Sequence, residues 1–303
     1  MTGLKPRFAS EFVPEWCALG VLLLLDVAWA RAIGFHLSIA RGDFLLPGLA
    51  LAVLMGLQLL AWRRGALMAE YFVLTLAATV LFGVLSYLCL ASSGPLIDTR
   101  LLAMDRALGF DWMAGYRFLR DNPLPQKILA LAYCSLVYQG LYFCVLLGLM
   151  QRKAQVRQMF WLTFLGGLMT SAGAWLFPAY GPFKIFVAPG GSFLPEMAHL
   201  KSGQNLNFAL AHMTGVVSFP SFHTVMALGY CWGFRRTGFI GWSIVGLNVL
   251  MLAAVPWFGG HYLMDIIAGL LTMLLSLALI TGAPALWRRL TAPIPLPAGA
   301  TQS

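Results

Sequence analysis

Charge is what this sequence has least of. Only 10% of its 303 residues are Asp, Glu, Lys or Arg, against about 25% in soluble domains. Such a chain lacks the polar surface to coat a water-exposed fold, which excludes an ordinary soluble enzyme, a disordered chain and a nucleic-acid module. Acids are scarcer than bases, 11 Asp and Glu against 20 Lys and Arg. In so apolar a chain the basic excess reads as membrane orientation, not as nucleic-acid binding. Cysteine is sparse too. Cys17, Cys89, Cys134, Cys144 and Cys231 form no C-x-x-C pair and lie in or beside apolar runs. They read as small buried hydrophobes, neither a disulfide framework nor a zinc site. What is there is apolar: 60% of the residues are hydrophobic, the composition of an all-α, polytopic transmembrane helical bundle.

Crossing the hydrocarbon core takes about 20 apolar residues. The runs predict about eight spans, near Trp16–Ile33, Phe44–Trp62, Tyr71–Ala91, Ile128–Met150, Phe160–Phe177, Phe222–Phe234, Phe239–Trp257 and Tyr262–Ala283. The sixth run is short, so its helix is expected to begin at Ser221 or to continue toward Gly238. The first run resembles a signal peptide, but Asp26 within it and Glu11 and Glu15 before it favour an uncleaved anchor. Eight spans place both termini on one side. Lys5, Arg7, Arg63, Arg64, Arg152, Lys153, Arg157, Arg235, Arg236, Arg288 and Arg289 all fall there, so that side is expected to be cytoplasmic. Loops 92–127 and 178–220 and the turn 256–261 then face outward. In the first of them, Arg100–Leu108 and Tyr116–Arg120 have amphipathic spacing. They suit helices lying in the membrane interface or loop helices packed on the bundle. The Gly-, Pro- and aromatic-rich loop 178–220 could close over a site at the membrane surface. The tail from Thr291, with Pro293, Pro295 and Pro297, is expected to be disordered.

Two outward segments carry ionisable groups at the ends of spans, where such groups need a reason. One is Phe219-Pro220-Ser221-Phe222-His223-Thr224, opening the sixth span. The other is Gly259-Gly260-His261-Tyr262-Leu263-Met264-Asp265, opening the eighth. His261 and Asp265 stand at i and i+4, on one helical face. A carboxylate there can hold one imidazole nitrogen and leave the other as base or nucleophile. His223 lies near a helix N-terminus, which favours a phosphate or another anion. Taken singly, the first segment reads as a helix cap and the second as an ion pair between helices. On one face of the bilayer, they form a candidate catalytic set: His223, His261 and Asp265.

These residues resemble a known family. Pro220-Ser221-Phe222-His223 followed by His261-Tyr262-x-x-Asp265-x-x-Ala268-Gly269 is similar to the second and third motifs of the type 2 phosphatidic acid phosphatase superfamily. The pattern looks most like the branch containing fungal inositol phosphorylceramide synthase (inositolphosphotransferase-like) and, more distantly, sphingomyelin synthases. Leu102-x-x-Asp105-Arg106-Ala107-Leu108-Gly109-Phe110-Asp111-Trp112 also looks like an interfacial segment of bacterial members. The resemblance covers about 100–283. It implies residues 1–92 as an N-terminal segment with the first three spans, and 93–127 as the interfacial segment. It further implies 128–290 as a catalytic core completing a six-helix unit with span 71–91, and 291–303 as a tail.

By that resemblance His261 attacks the phosphorus of a lipid phosphate, Asp265 orients His261, and His223 protonates the departing alkoxide. A membrane lipid phosphate or phospholipid is the implied donor, and water, a lipid or another alcohol the acceptor. Neither metal nor cofactor is required, because cations and helix N-termini can meet the phosphoryl charge. Two departures stand out: the first motif, K-x-x-x-x-x-x-R-P, is absent as such, and Ala254-Val255 stand where the third motif opens with Ser-Arg. Candidate phosphate contacts are therefore Lys184, with Lys201 behind it, and the motif residues Ser221 and Tyr262. Lys184 also fits an interfacial lysine whose amine reaches the headgroups. His199 and His212 are expected to be loop or headgroup contacts. Three other readings stay open. One is a lipid or proton-coupled transporter using His223, His261 and Asp265 as a relay. Another is a two-histidine, one-carboxylate metal site of His223, His261 and Asp265, with His212 as an optional further ligand. The third is a hydrolase using Ser221.

Overall fold

A computed structural model describes residues 12–60 and 62–290. Lys5, Arg7, Glu11 and the tail from Thr291 lie outside the described residues, as does the expectation of disorder there. The chain folds as an all-α bundle: α1 Val13–Ile33, α2 Leu45–Leu59, α3 Arg63–Ala91, α4 Asp98–Ala107, α5 Trp112–Asp121, α6 Pro123–Leu149 and α7 Lys153–Leu176, then α8 Pro182–Phe186, α9 Leu194–Ser202, α10 Phe222–Phe234, α11 Phe239–Phe258 and α12 Leu263–Leu290. The apolar runs each become a helix, because backbone groups removed from water must pair within their own segment.

Six helices among the described residues (α1, α3, α6, α7, α11 and α12) are long and apolar enough to cross a membrane, not the eight expected. At about 1.5 Å per residue, α2 with 15 residues and α10 with 13 fall short of a 30 Å hydrocarbon core. For α10 the packing supplies the reason. It runs through the middle of the bundle against α7, α11 and α12, so protein and not lipid covers most of its length.

Close helix approach depends on small residues, since lipid offers no hydrophobic drive for helices to associate. A Cβ on Gly233 of α10 would lie 2.3 Å from the Phe143 ring of α6, and one on Gly167 of α7 would lie 2.8 Å from the Phe82 ring of α3. Around these contacts Phe143, Leu147, Met159, Phe160, Tyr230 and Phe234 form one buried core. Polar side chains fasten it: Asn248 Nδ2 donates to Gln139 Oε1 at 2.7 Å, joining α11 to α6. Glu15, which precedes the first apolar run, and Glu70, which precedes the third, lie inside α1 and α3 and are buried. Glu15 accepts from Arg157 Nε at 2.8 Å and from Trp161 Nε1 at 3.0 Å. The helices simply start before the apolar runs do.

The loops sort onto two ends. A strand β1, His36–Ser38, pairs in parallel with β2, Asn207–Ala209, bringing the segment after α1 to the long loop 178–220. Lys201 reaches Ser93 and Gly94, and Trp112 reaches Pro256, so the three predicted outward segments share one end with the segment after α1. At the other, Arg152 donates to the Arg236 carbonyl.

Candidate active site

The two motif segments meet at the start of α10 and α12. Ser221 caps α10, its hydroxyl accepting from Thr224 N at 3.4 Å, while its own N–H donates to the Asp265 carbonyl at 2.9 Å. That bond needs α12 close, and Gly269 permits it: a Cβ there would lie 2.6 Å from the Ser221 carbonyl oxygen. His261 donates its backbone N–H to the Pro256 carbonyl at 3.1 Å, so α11 sets the depth of the loop that carries it.

Within this frame the Asp265 carboxylate holds the imidazole. His261 Nδ1 lies 3.2 Å from Asp265 Oδ2, and the same oxygen accepts from Tyr262 N at 2.9 Å and Ser218 Oγ at 3.3 Å. As a carboxylate Asp265 accepts only, which puts the proton on Nδ1 and leaves Nε2 its lone pair. Ser221 Oγ lies 3.5 Å from that Nε2. The second histidine is adjacent, its ring centroid 6.0 Å from that of His261. Tyr133 of α6 stacks on His223 at 4.5 Å and 18°, which fixes the ring plane. His261 is 2% exposed and Asp265 fully buried, whereas His223 is partly open. Burial pushes the His261 imidazole down from its ordinary value to about 4, against a smaller upward pull from the Ser218 backbone. Its neutral form is therefore the resting one near pH 7.

Two further carboxylates build the rim, and neither was singled out as functional from the sequence. Asp98, at the start of α4, accepts from Tyr180 N, Gly181 N and the Tyr262 hydroxyl at 2.8 to 3.1 Å. Asp105 accepts from Leu263 N at 2.8 Å and Met264 N at 3.0 Å, capping α12 beside the site. Burial raises the Asp105 carboxyl, with those two N–H groups pulling the other way. Gly181 sits with φ +90°, and a Cβ on it would come within 2.1 Å of the Gly260 carbonyl. A side chain is excluded there by sterics and backbone alike. Trp112 closes the rim, donating Nε1 to the Pro256 carbonyl at 2.8 Å, the same oxygen that holds His261 N.

The structure thus brings His223, His261, Asp265 and Ser221 together, and gives two of the four candidate phosphate contacts other partners. Tyr262 is fully buried and gives its hydroxyl to Asp98. Burial, then the Asp98 charge, hold its phenol well above the ordinary tyrosine value. Lys201 directs Nζ to Ser93 O, Ser93 Oγ and Gly94 O, three acceptors for three donors. Lys184 is exposed on α8, one residue from Phe183, whose ring packs against Gly260. His199 hydrogen-bonds the Gln204 and Asn205 carbonyls, and His212 is exposed. Among the described residues no cluster of three His, Cys, Asp or Glu side chains is placed to hold a metal ion. The sequence signal for Asp98 was weak, a lone acid in a polar loop. Asp105 stood inside the interfacial phrase without a role attached.

No curated protein and no solved structure matches the chain. A sequence profile of the PAP2 superfamily matches residues 99–279, from the second residue of α4 into α12. That is more than half of the chain and includes both histidine segments. The chain belongs to the PAP2 superfamily.

Proposed function

We propose that this protein is an integral-membrane lipid phosphatase or phosphotransferase working through a phosphohistidine. The observation that carries the reading is the Asp265–His261 pair, with Nε2 facing only the Ser221 hydroxyl at 3.5 Å and His223 one ring away. In the first step the Nε2 lone pair of His261 forms a bond to phosphorus, and the bond to the lipid alkoxide breaks. Burial, then the neighbouring His261 ring, hold the resting His223 imidazole down to about 3. The bound anionic phosphate favours its charged form, and as imidazolium it gives its proton to the alkoxide oxygen. In the second step an acceptor hydroxyl loses its proton to His223 and attacks phosphorus, the N–P bond breaks, and both histidines return to their starting forms. Asp265 holds Nδ1–H and stabilises the charge that develops on the ring. The N–H groups of Phe222 and His223, which have no acceptor inside α10, face the phosphoryl oxygens together with Lys184.

A nucleophile only 2% exposed is screened from bulk water. This supports an alcohol carried by the membrane as acceptor over water, hence a headgroup transferase resembling the inositol phosphorylceramide synthase branch. In this reading α3, α6, α7 and α10–α12 form the six-helix unit. The basic end lies in the cytoplasm and the histidines face the exterior or lumen.

The test is a panel of lipid phosphomonoesters and phospholipids presented to the purified protein, with and without ceramide-like and diacylglycerol-like acceptors. Headgroup transfer that disappears in His261→Ala supports the synthase-like reading. Phosphate release from monoesters alone makes it a phosphatase. Full activity in His261→Ala refutes the mechanism, and substrate movement without chemistry would favour the transporter.

A further inference from the structure

A second feature of the site end lies outside the histidine cluster. Between α4 and α5 is a cavity of about 410 Å³ whose wall includes Arg106, Asp111, Trp112, Arg117 and Phe186. Both arginines are exposed, and among the described residues neither guanidinium makes an ion pair or a hydrogen bond. Asp111 is the one acid in the wall, and it is partly engaged, since Oδ1 accepts Ala114 N at 3.0 Å as the cap of α5. Formal charge in the cavity is therefore two positive against one negative. Phe186 stacks on Trp112 at 5.5 Å and 3°, giving the cavity a flat apolar floor. Met104 on α4, Leu108 just after it and Phe118 on α5 stand exposed, an apolar fringe suited to acyl chains and of no use to a free anion.

We propose that this cavity binds the headgroup of an anionic phosphodiester lipid, phosphatidylglycerol being the simplest example. Arg106 and Arg117 take the phosphate oxygens, as guanidinium groups do through paired N–H donors. A net charge of plus one matches a phosphodiester. The carboxylate of Asp111 disfavours the extra charge of a phosphomonoester, and the two arginines repel the ammonium of a zwitterionic headgroup. The site is distinct from the histidines, yet Trp112 in its wall shares the Pro256 carbonyl with His261. A lipid seated here would bear on the frame that sets the depth of that histidine. The proposal stands whether or not the histidines transfer phosphate.

The test needs no turnover. Full-length protein in detergent is mixed with equal amounts of phosphatidylglycerol, phosphatidylethanolamine, phosphatidylcholine and phosphatidic acid, and retained lipid is read by native mass spectrometry. The wild type is expected to retain phosphatidylglycerol about tenfold over the zwitterionic lipids, and over phosphatidic acid by a smaller factor. Arg106→Gln/Arg117→Gln is expected to erase the preference. Arg120→Gln, a basic residue of the same helix outside the cavity wall, is expected to keep it. Circular dichroism of the double variant separates lost binding from lost fold, and Arg106→Lys/Arg117→Lys is expected to recover part of the preference. Equal retention of all four lipids, an unchanged preference in a folded double variant, or displacement by millimolar inorganic phosphate would each overturn the proposal.

Discussion

At one end of the bundle Glu15 meets the Arg157 guanidinium at 2.8 Å. At the other, Asp98, Asp105 and Asp265 meet peptide N–H groups, hydroxyls and a single imidazole. All four carboxylates are buried, so the difference lies in what neutralises them. A guanidinium is mobile and can be replaced by water or solute cations. Peptide N–H groups are fixed by the backbone and cost nothing to reorganise when charge moves. The end that binds its acids through backbone is the end where the two histidine segments meet, and it leaves Arg106 and Arg117 without a side-chain partner among the described residues. The basic end uses its charges on the fold itself.

The largest break in this contrast comes from the pair at the centre. His261→Ala should reduce turnover to background, and Asp265→Asn should cost about 10²- to 10⁴-fold in kcat with the fold intact, checked by phosphate or headgroup release and by circular dichroism. His223→Gln should lose a comparable factor on lipid substrates. It should lose far less on an aryl phosphate, whose leaving group departs without a proton. Equal losses on both substrates would remove His223 from the acid role.

Gly181→Ala comes next. Its Cβ would displace the Gly260 carbonyl beside His261, and a shift of about 1 Å in a reacting group costs about 10²-fold. A Michaelis–Menten series should show the loss in kcat.

A matched pair then sharpens the comparison directly. Asp105→Asn at the site end should lower kcat while costing about 1–3 kcal/mol in stability. Glu15→Gln at the other end should cost about 1–2 kcal/mol after discounting for the half-open Arg157, and leave kcat/KM unchanged. Thermal unfolding in detergent and steady-state assays read the two effects separately. Tyr262→Phe, which removes one of the donors to Asp98, is the mildest, at about 1 kcal/mol.

The pH profile follows from burial. Because the folded His261 is held down to about 4, it stays neutral and nucleophilic above that pH and is lost to protonation as pH falls through it. The acid limb of kcat should therefore lie below the ordinary imidazole range. A limb at 6.5 or above would show that the ring is not desolvated during turnover.

Much of this was legible in the residues. Apolar runs located the long helices, and the i, i+4 spacing of His261 and Asp265 predicted a contact that exists at 3.2 Å. The Ser221 cap and the shared end of both motifs were readable as well. What escaped was everything that depends on chain segments far apart meeting. Nothing local marks Asp98 as the acceptor for Tyr180 and Gly181, 82 and 83 positions away. Nothing local told Lys201 from a ligand-binding lysine before its bonds to Ser93 and Gly94 were visible. The length of α10 was misjudged for a related reason, because a helix buried among helices need not match the thickness of the bilayer.

The most direct test of the central claim is to trap the covalent intermediate. Purified protein is mixed with a lipid phosphate labelled on phosphorus, quenched in alkali, where phosphohistidine survives, and the labelled peptide is mapped. Label on the peptide carrying His261, absent in His261→Ala, is the predicted result. Rapid turnover with no covalent label, or label on another residue, would contradict it.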